Sequence, residues 1–365
     1  MEKDTIHKDS TQKVTMQTIA DALNISRVTV SKAFNNQAGV SDALQKLILD
    51  KAKELGYSKM PYQPEELLPH IQQSKTVSLV VSRPDSAVFW TSIIHRMAQD
   101  LLTYNINLMY TYVPSVYTSS FHLPAALTDG STDGVVVLNV YDPEILGMVN
   151  RLSLPKVFLD TVPSLDSEQL SGDLILIEGF HTVYHITELL IQNGQKQIGF
   201  LGDIHYARTN MDRYRGYLAC MDKYGLFIHP EYCLTGSIGI FSYGRELTAF
   251  LDGLTDWPDA FVCVSDYVAH FVKLYMDEHP NRVPHAVVLS GFDHANEYTN
   301  VAGHILTADV PTGLLGKRLA LQLLFRTEHK FAPYELTFIR PSICGTFADK
   351  HIGSSNYQSG AASHP

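Results

Sequence analysis

The stretch VTMQTIADALNISRVTVSKAFNN, from Val14 to Asn36, decides the fold of the N-terminal region, because its spacing suits two short helices joined by a tight turn. Its apolar residues fall where two crossing helices bury side chains, namely Ile19, Leu23, Ile25 and Val30. Asn24 lies in the predicted turn, where a left-handed residue is typically needed and Asn tolerates positive φ well. The pattern predicts a helix-turn-helix.

The second of these helices has a cap and an exposed polar face. Ser26 is expected to accept hydrogen bonds from the free N–H groups of the first turn. In a helix-turn-helix, the exposed face enters the major groove of DNA, where Arg or Lys donates to guanine and an apolar group meets a thymine methyl. The predicted DNA-contacting residues are Thr15, Ser26, Arg27, Val28, Thr29, Ser31, Lys32 and Asn35. For Arg27 and Lys32, phosphate contact is the alternative to a contact with guanine. For Thr15, Thr29 and Asn35 we expect phosphate contact, with ordinary surface hydrogen bonding as the alternative.

The region around this stretch divides into an arm, a headpiece and a linker. Residues 1–13 are expected to form a disordered arm. Residues 14–58 are predicted to be a three-helix headpiece, because apolar residues recur at helical spacing from Leu44 to Leu55. Residues 59–75 contain Pro61, Pro64 and Pro69, which forbid a long helix and indicate a linker.

From residue 76 to 348, apolar runs alternate with amphipathic stretches, which is typical of parallel sheets covered on both faces. This segment is too long for a single sheet and its helices. We therefore predict two doubly wound α/β lobes, with a ligand cleft at the carboxyl ends of the strands. The first lobe is expected to comprise about 76–162 and 310–337, and the second about 163–309 and 338–348. Residues 349–365 are small and polar, and are expected to be a disordered tail.

The charge of the chain is unevenly distributed. The net charge is -10, yet residues 1–60 hold nine Lys and Arg against seven Asp and Glu, which leaves 19 basic against 31 acidic residues in the remainder. Only the headpiece therefore suits phosphates, and its excess of two charges is small. We expect two headpieces to act together for useful DNA affinity.

The chain resembles the LacI/GalR family of bacterial transcription regulators over roughly residues 14–348. The resemblance rests on the headpiece segments Val14-Thr15-Met16, Ile19-Ala20, Ile25-Ser26, Thr29-Val30-Ser31-Lys32 and Leu55-Gly56-Tyr57. It continues in the body with Ile198-Gly199-Phe200-Leu201-Gly202, Arg213 before Gly216-Tyr217, Ser265-Asp266, Gly291-Phe292-Asp293, Pro311 and Gly316.

This resemblance implies a helix-turn-helix headpiece followed by a two-lobed domain like the periplasmic binding proteins. It also implies a homodimer on a near-palindromic operator in double-stranded DNA, with a small effector in the cleft that changes DNA affinity. A sugar or sugar derivative is the expected effector. Family members insert a hinge leucine into the minor groove, which makes Leu67 a further DNA-contacting candidate. The prolines and the neighbouring Glu65 and Glu66 depart from that hinge pattern and leave its folding open.

The resemblance also implies six effector-binding candidates: Phe89, Trp90, Arg213, Phe241, Ser265 and Asp293. An aromatic ring can stack on a sugar or a base, and the alternative for Phe89 or Trp90 is core packing. Arg213 can bind two hydroxyls or an anionic group through its planar fork. Asp293 follows an apolar strand and suits hydroxyls, with a helix cap over 294–298 as the alternative.

Two other functions fit the two-lobed body. A small-molecule carrier of the periplasmic binding type would lack a headpiece and carry a signal peptide, whereas the first ten residues contain no apolar stretch. An enzyme on a doubly wound fold would need a glycine-rich phosphate loop, and Ser82 to Ser86 contains no glycine. We expect a cytoplasmic protein without membrane association, cofactor, metal or catalytic residues.

Overall fold

A computed structural model describes residues 14–34, 39–55, 57, 76–82, 88–239, 242–284, 286–347 and 350–352. The chain divides between Leu67 and Leu68 into two compact units. The predicted arm, the linker and all of the predicted tail except 350–352 lie outside the described residues.

The first unit contains three helices: α1 Met16–Leu23, α2 Arg27–Phe34 and α3 Asp42–Glu54. Thr15 and Thr18 form a reciprocal capping box at the start of α1, and Asn24 ends that helix with φ 52°, as predicted. The helices enclose a small core that includes Ile19, Ala20, Val30, Ala33, Ile48 and Ala52. The small Ala20 and Ala33 let the helices approach closely, so the headpiece has a core of its own.

The first lobe of the second unit is built on a six-stranded parallel sheet. Its strands are β1 Thr76–Val81, β2 Asn107–Tyr112, β3 Gly134–Leu138, β4 Lys156–Leu159, β5 Asp173–Ile177 and β10 Leu336–Ile339, in the order β10-β5-β4-β3-β1-β2. The helices of this lobe are α4 Val88–Thr103, α5 Pro143–Asn150 and α10 Thr312–Glu328. The central strands β1, β3, β4 and β5 are almost fully buried because helices cover both faces of the sheet, whereas the edge strands β2 and β10 have exposed residues.

The second lobe contains a parallel sheet of β6 Ile198–Leu201, β7 Ala260–Cys263 and β8 Val288–Ser290. Its helices are α6 Phe180–Gln192, α7 Arg208–Lys223, α8 Tyr243–Asp252 and α9 Asp266–Glu278. A small antiparallel sheet joins β9 Thr307–Asp309, β11 Ser342–Phe347 and β12 Lys350–Ile352.

Two expected boundaries are wrong. The first lobe does not end near residue 162, because β5 pairs in parallel with β4 and belongs to the first sheet together with β10. The tail does not begin at 349 as an unstructured segment, since residues 350–352 form β12 against β11. The first error concerns strand pairing between segments far apart in the chain, β5 and β10, which local composition does not encode. The second concerns two neighbouring strands, since only two residues separate β11 from β12.

A buried ion pair attaches α10 to the first sheet. The Arg326 guanidinium donates to both carboxylate oxygens of Asp173 at 2.5 and 3.0 Å, and to the carbonyl oxygens of Ala332 and Pro333. Both charged side chains are almost fully buried. Removing either partner would leave the other charged and unpaired in the interior, so loss of one side chain would destabilise the packing of α10 on β5.

Candidate functional site

The first turn of α2 presents an exposed surface. Arg27 and Val28 both lie exposed there, and Val28 is 63% exposed although it is apolar. Ser31 and Lys32 lie one turn further along and are half-buried. An exposed valine between polar neighbours is suited to contact with an apolar group of another molecule.

Hydroxyl groups at the helix starts are engaged within the headpiece. The Thr15 Oγ1 accepts from the Thr18 backbone N–H at 3.3 Å, and the Ser26 Oγ accepts from the Thr29 N–H at 3.0 Å. These caps fix the N-terminal ends of α1 and α2, which carry partial positive charge and suit anions. Asn35 and Leu67 lie outside the described residues.

A cavity of about 560 Å³ lies between the two lobes, a volume in the usual range for small-molecule sites. It is lined by Phe89, Trp90, Arg213, Ser265 and Asp293, which are five of the six residues singled out from the sequence. The sixth, Phe241, lies outside the described residues.

Phe89 and Trp90 lie in the first turn of α4, directly beyond the carboxyl end of β1. Their ring centroids are 4.9 Å apart and the rings are perpendicular. Both side chains are half-buried, so each retains surface toward the cavity. The pair therefore offers one edge and one face to a bound ring.

Arg213 projects from α7 and is held on several sides. One terminal nitrogen donates to the Val264 carbonyl oxygen at 2.6 Å, and the guanidinium carbon lies 3.6 Å from the centroid of the Phe292 ring. The Arg213 side chain is 7% exposed, and its Nε atom has no hydrogen-bond partner within the described part of the chain. An acceptor atom of a ligand could accept a hydrogen bond from this buried Nε–H group.

Asp293 follows β8 with a strained backbone, at φ 100°. Residues 294–298 contain a turn at 296–297 and no helix, so Asp293 caps no helix there. The carboxylate lies 4.0 Å from an Arg213 nitrogen. Burial raises the pKa of Asp293 above its ordinary value, while Arg213 opposes that rise and Glu297 adds to it.

Sequence reasoning missed three further polar residues that follow strands and line the cavity. Asn139, Asp160 and Asp203 come after β3, β4 and β6. Asn139 and Asp160 also have positive φ, at 56° and 66°. The rule that identified Asp293, a polar residue at the carboxyl end of an apolar strand, also applies to them.

Asp160 is the most densely hydrogen-bonded of these groups. Its carboxylate accepts from the Thr209 hydroxyl at 2.5 Å, from the backbone N–H groups of Thr161 and Thr209, and from the Tyr141 hydroxyl at 3.4 Å. Burial raises its pKa, and the bond from Thr209 opposes the rise. Since α7 carries Thr209 and β4 precedes Asp160, this group links the two lobes beside the cavity.

Five tyrosines complete the lining: Tyr141, Tyr206, Tyr243, Tyr267 and Tyr298. The rings of Tyr141 and Tyr206 lie 4.4 Å apart, and those of Tyr267 and Tyr298 lie 5.8 Å apart. No spacing in the sequence indicated this cluster, because its members come from five separate segments. Together they offer both ring faces and phenolic hydroxyl groups.

Ser265 and Asp266 have distinct roles at the start of α9. The Ser265 hydroxyl caps the helix by accepting from the Val268 N–H at 3.4 Å, while the residue still lines the cavity. Asp266 is the first residue of α9, and its carboxylate accepts from the Thr307 hydroxyl and from the Ala295 N–H, each at 2.7 Å. It thereby connects α9 with β9 and with the loop that carries Asp293.

Two histidines at helical spacing on α6, His181 and His185, are paired with Glu178 and Glu188 through Nδ1 contacts of 3.1 and 3.3 Å. Within the described ranges, no three potential ligands gather around a common point. Helices in those ranges are also too short or too polar to cross a bilayer.

A family model, related sequences and solved structures all match this chain. Residues 187–344 match the family described as periplasmic binding protein-like domain. The HTH-type transcriptional regulator RegA of Clostridium saccharobutylicum is 28% identical over 85% of this chain and 92% of its own length. The HTH-type transcriptional repressor PurR of Mannheimia succiniciproducens is 27% identical over 90% of this chain and 96% of its own length.

Solved structures show the same fold. The transcriptional regulator CelR–cellobiose complex matches with a TM-score of 0.63 at 20% identity, covering 90% of this chain and 98% of the other. The lac repressor dimer bound to operator and the anti-inducer ONPF matches with a TM-score of 0.60 at 17% identity, covering 91% and 98%. In its helix-turn-helix headpiece and its two-lobed body, the chain is similar to these transcription regulators along most of its length.

Proposed function

We propose that this protein is a sequence-specific DNA-binding transcription regulator, a repressor whose operator affinity changes when a small molecule binds between its lobes. The observation that carries the proposal is the presence of an exposed recognition helix and a ligand-sized cavity in one chain. The relatives named as repressors and regulators support it. The protein acts in the cytoplasm without catalysing a reaction.

On the DNA side, Arg27 and Val28 contact base edges, because they are the most exposed side chains at the start of α2. Ser31 and Lys32 extend that face. Thr15, Ser26 and Thr29 face the phosphate backbone, where capped helix starts favour anions. We assign Asn35 to the backbone and Leu67 to the hinge on the family pattern.

On the ligand side, Phe89 and Trp90 stack against a ring, while Arg213, Ser265 and Asp293 hydrogen-bond its polar groups. Phe241 remains a candidate from the second lobe. The cellobiose complex among the solved neighbours supports a carbohydrate or a derivative of one. The Asp160 group spans the lobes and would sense their closure around the ligand.

Two copies act together on a near-palindromic operator. The excess of two positive charges in residues 1–60 is too small for one headpiece to bind DNA tightly. Dimerisation makes the second contact intramolecular and sets the half-site spacing. The lac repressor dimer on its operator supports this arrangement.

Arg27→Ala tests the DNA-binding assignment. Duplexes enriched from a random pool by the wild-type protein supply the operator, and fluorescence anisotropy measures affinity for the operator and for a scrambled duplex. Loss of a base contact should weaken operator binding by about 1 to 3 kcal/mol, roughly 5- to 150-fold, and leave the scrambled duplex less affected. Lys46→Ala removes the same charge from an exposed site on α3 and should retain the preference.

Failure of the wild-type protein to enrich any duplex would contradict the proposed function. An equal loss on both duplexes for Arg27→Ala would contradict base recognition and leave Arg27 as a phosphate contact.

A further inference from the structure

The cavity between the lobes is strongly acidic. Four carboxyl groups line it, those of Asp160, Asp203, Asp293 and Glu297, against the single guanidinium of Arg213. In their ionised forms these groups carry a formal balance of -3. Such a lining attracts cations and repels anions in a site with limited access to water.

Two of the four carboxyl groups are already satisfied by the protein. Asp160 accepts from Thr161, Thr209 and Tyr141, as described above. Asp203 accepts from the backbone N–H groups of His205 at 2.8 Å and Ile238 at 3.1 Å. Both are therefore anchored in the fold and need no ligand charge nearby.

The carboxylates of the other two, Asp293 and Glu297, accept no hydrogen bond from the described part of the chain. Among the described residues, the Asp293 carboxylate has no hydrogen bond, and its ion pair with Arg213 spans 4.0 Å. Arg213 is already partly engaged, because it donates to the Val264 carbonyl and lies over the Phe292 ring. Glu297 is exposed and lines the same cavity, and its negative charge adds to the rise in the pKa of Asp293. The Asp293 carboxylate thus has one distant and partly engaged cation, while Glu297 adds a second negative charge to the lining.

We propose that the effector carries an ammonium group that ion-pairs with Asp293 and Glu297, so that an amino sugar or another amine-bearing polyol binds, and phosphorylated molecules are excluded. This inference rests on the proposed effector site and specifies its chemistry. An ammonium placed between these carboxylates removes their mutual repulsion, which a neutral hydroxyl does not.

The aromatic lining agrees with a cationic ligand. Tyr267 and Tyr298 line the cavity together with Asp293 and Glu297, and their rings form an edge contact with each other. The electron-rich face of a tyrosine attracts an ammonium group within about 6 Å. Phe89 and Trp90 remain available to stack on the carbon skeleton.

Isothermal titration calorimetry on the full-length protein can test the proposal with matched sets of ligands. One set is D-glucosamine, D-glucose and D-glucose 6-phosphate, and the corresponding galactose, mannose and cellobiose-derived sets extend it. In at least one set, the amine should bind about tenfold or more tightly than the neutral sugar, and the phosphate should bind most weakly. Added salt should reduce the preference.

Glu297→Gln tests the contribution of this carboxylate to the preference for an amine. The side chain is exposed, so we expect the variant to fold. It should reduce the amine-to-neutral ratio severalfold. Glu278→Gln is the control, since Glu278 is exposed at the opposite end of α9, about 18 Å along the helix from the cavity. It should keep the wild-type ratio.

Equal affinity for amine and neutral sugar, tighter binding of the phosphate, or no amine binding in any set would overturn the inference. Operator binding by the same preparation is measured separately. A protein that binds operator but prefers neutral or phosphorylated sugars contradicts only the ammonium site, whereas loss of all sequence preference for DNA contradicts the proposed function.

Discussion

At the scale of single residues, Asp266 shows how one buried carboxyl group connects the loop that carries Asp293 to α9 and β9. Its carboxylate joins α9, Thr307 on β9 and the backbone of Ala295, next to the cavity. Burial raises the pKa of Asp266 to about 7, and the Asp293 charge contributes to that rise. The group therefore titrates near neutral pH in the folded protein.

The stability of the protein should depend on Asp266 between pH 5 and 8. The unfolded carboxyl group ionises near pH 4, so at pH 5 to 7 folding takes up a proton, and stability falls as pH rises through about 7. Asp266→Asn should flatten that slope, which is at most about 1.4 kcal/mol per pH unit for one proton. Urea unfolding across this range measures it.

The control for this experiment is Asp309→Asn, which removes an exposed carboxyl group from β9. It should retain the wild-type pH dependence. Parallel profiles for Asp266→Asn and the wild-type protein would rule out Asp266 as the titrating group.

At the scale of elements, two helix pairs depend on glycine. A Cβ atom at Gly216 on α7 would lie 2.1 Å from the Phe180 carbonyl oxygen, and one at Gly316 on α10 would lie 2.3 Å from the Ile93 carbonyl oxygen. Backbone atoms cannot yield as a flexible side chain can. These glycines, noted in the sequence as family landmarks, therefore serve the close packing of α6 on α7 and of α4 on α10.

Gly316→Ala should destabilise the protein by about 1 to 3 kcal/mol or more, because α4 and α10 must separate. Alanine favours a helix by up to about 1 kcal/mol over glycine, so propensity acts in the opposite direction. Gly313→Ala is a matched control in the first turn of α10, where a Cβ meets no atom within 4 Å. Thermal unfolding of both variants measures the difference, and equal melting temperatures would refute the packing argument.

At the scale of the whole molecule, the headpiece region and the two-lobed body carry net charges of opposite sign. The first 60 residues carry a small positive excess, whereas the remaining chain holds 19 basic and 31 acidic residues. The acidic body repels DNA and, within its cavity, anionic ligands. We therefore expect specific binding to come from paired headpieces.

A duplex with two half-sites should bind the full-length protein about 100-fold or more tightly than a duplex of equal length with one half-site replaced, because the second contact is intramolecular. The affinity for the two-site duplex should also fall more steeply with salt, since more counterions are released. Anisotropy titrations at several salt concentrations measure both effects. Equal affinities and equal salt slopes would show that a single headpiece suffices.

The amino-acid sequence by itself determined the elements that depend on neighbours in the chain. The turn at Asn24, the cap at Ser26 and the alternation of strands and helices follow from short-range sterics and periodicity. The position of Asp293 after an apolar strand also followed from a local rule.

Only the tertiary structure decided which distant segments meet. It assigned β5 and β10 to the first sheet, and gathered five tyrosines and four carboxyl groups around one cavity. Strand pairing and cavity charge arise from contacts between residues far apart in the chain, whose free energies no local pattern records.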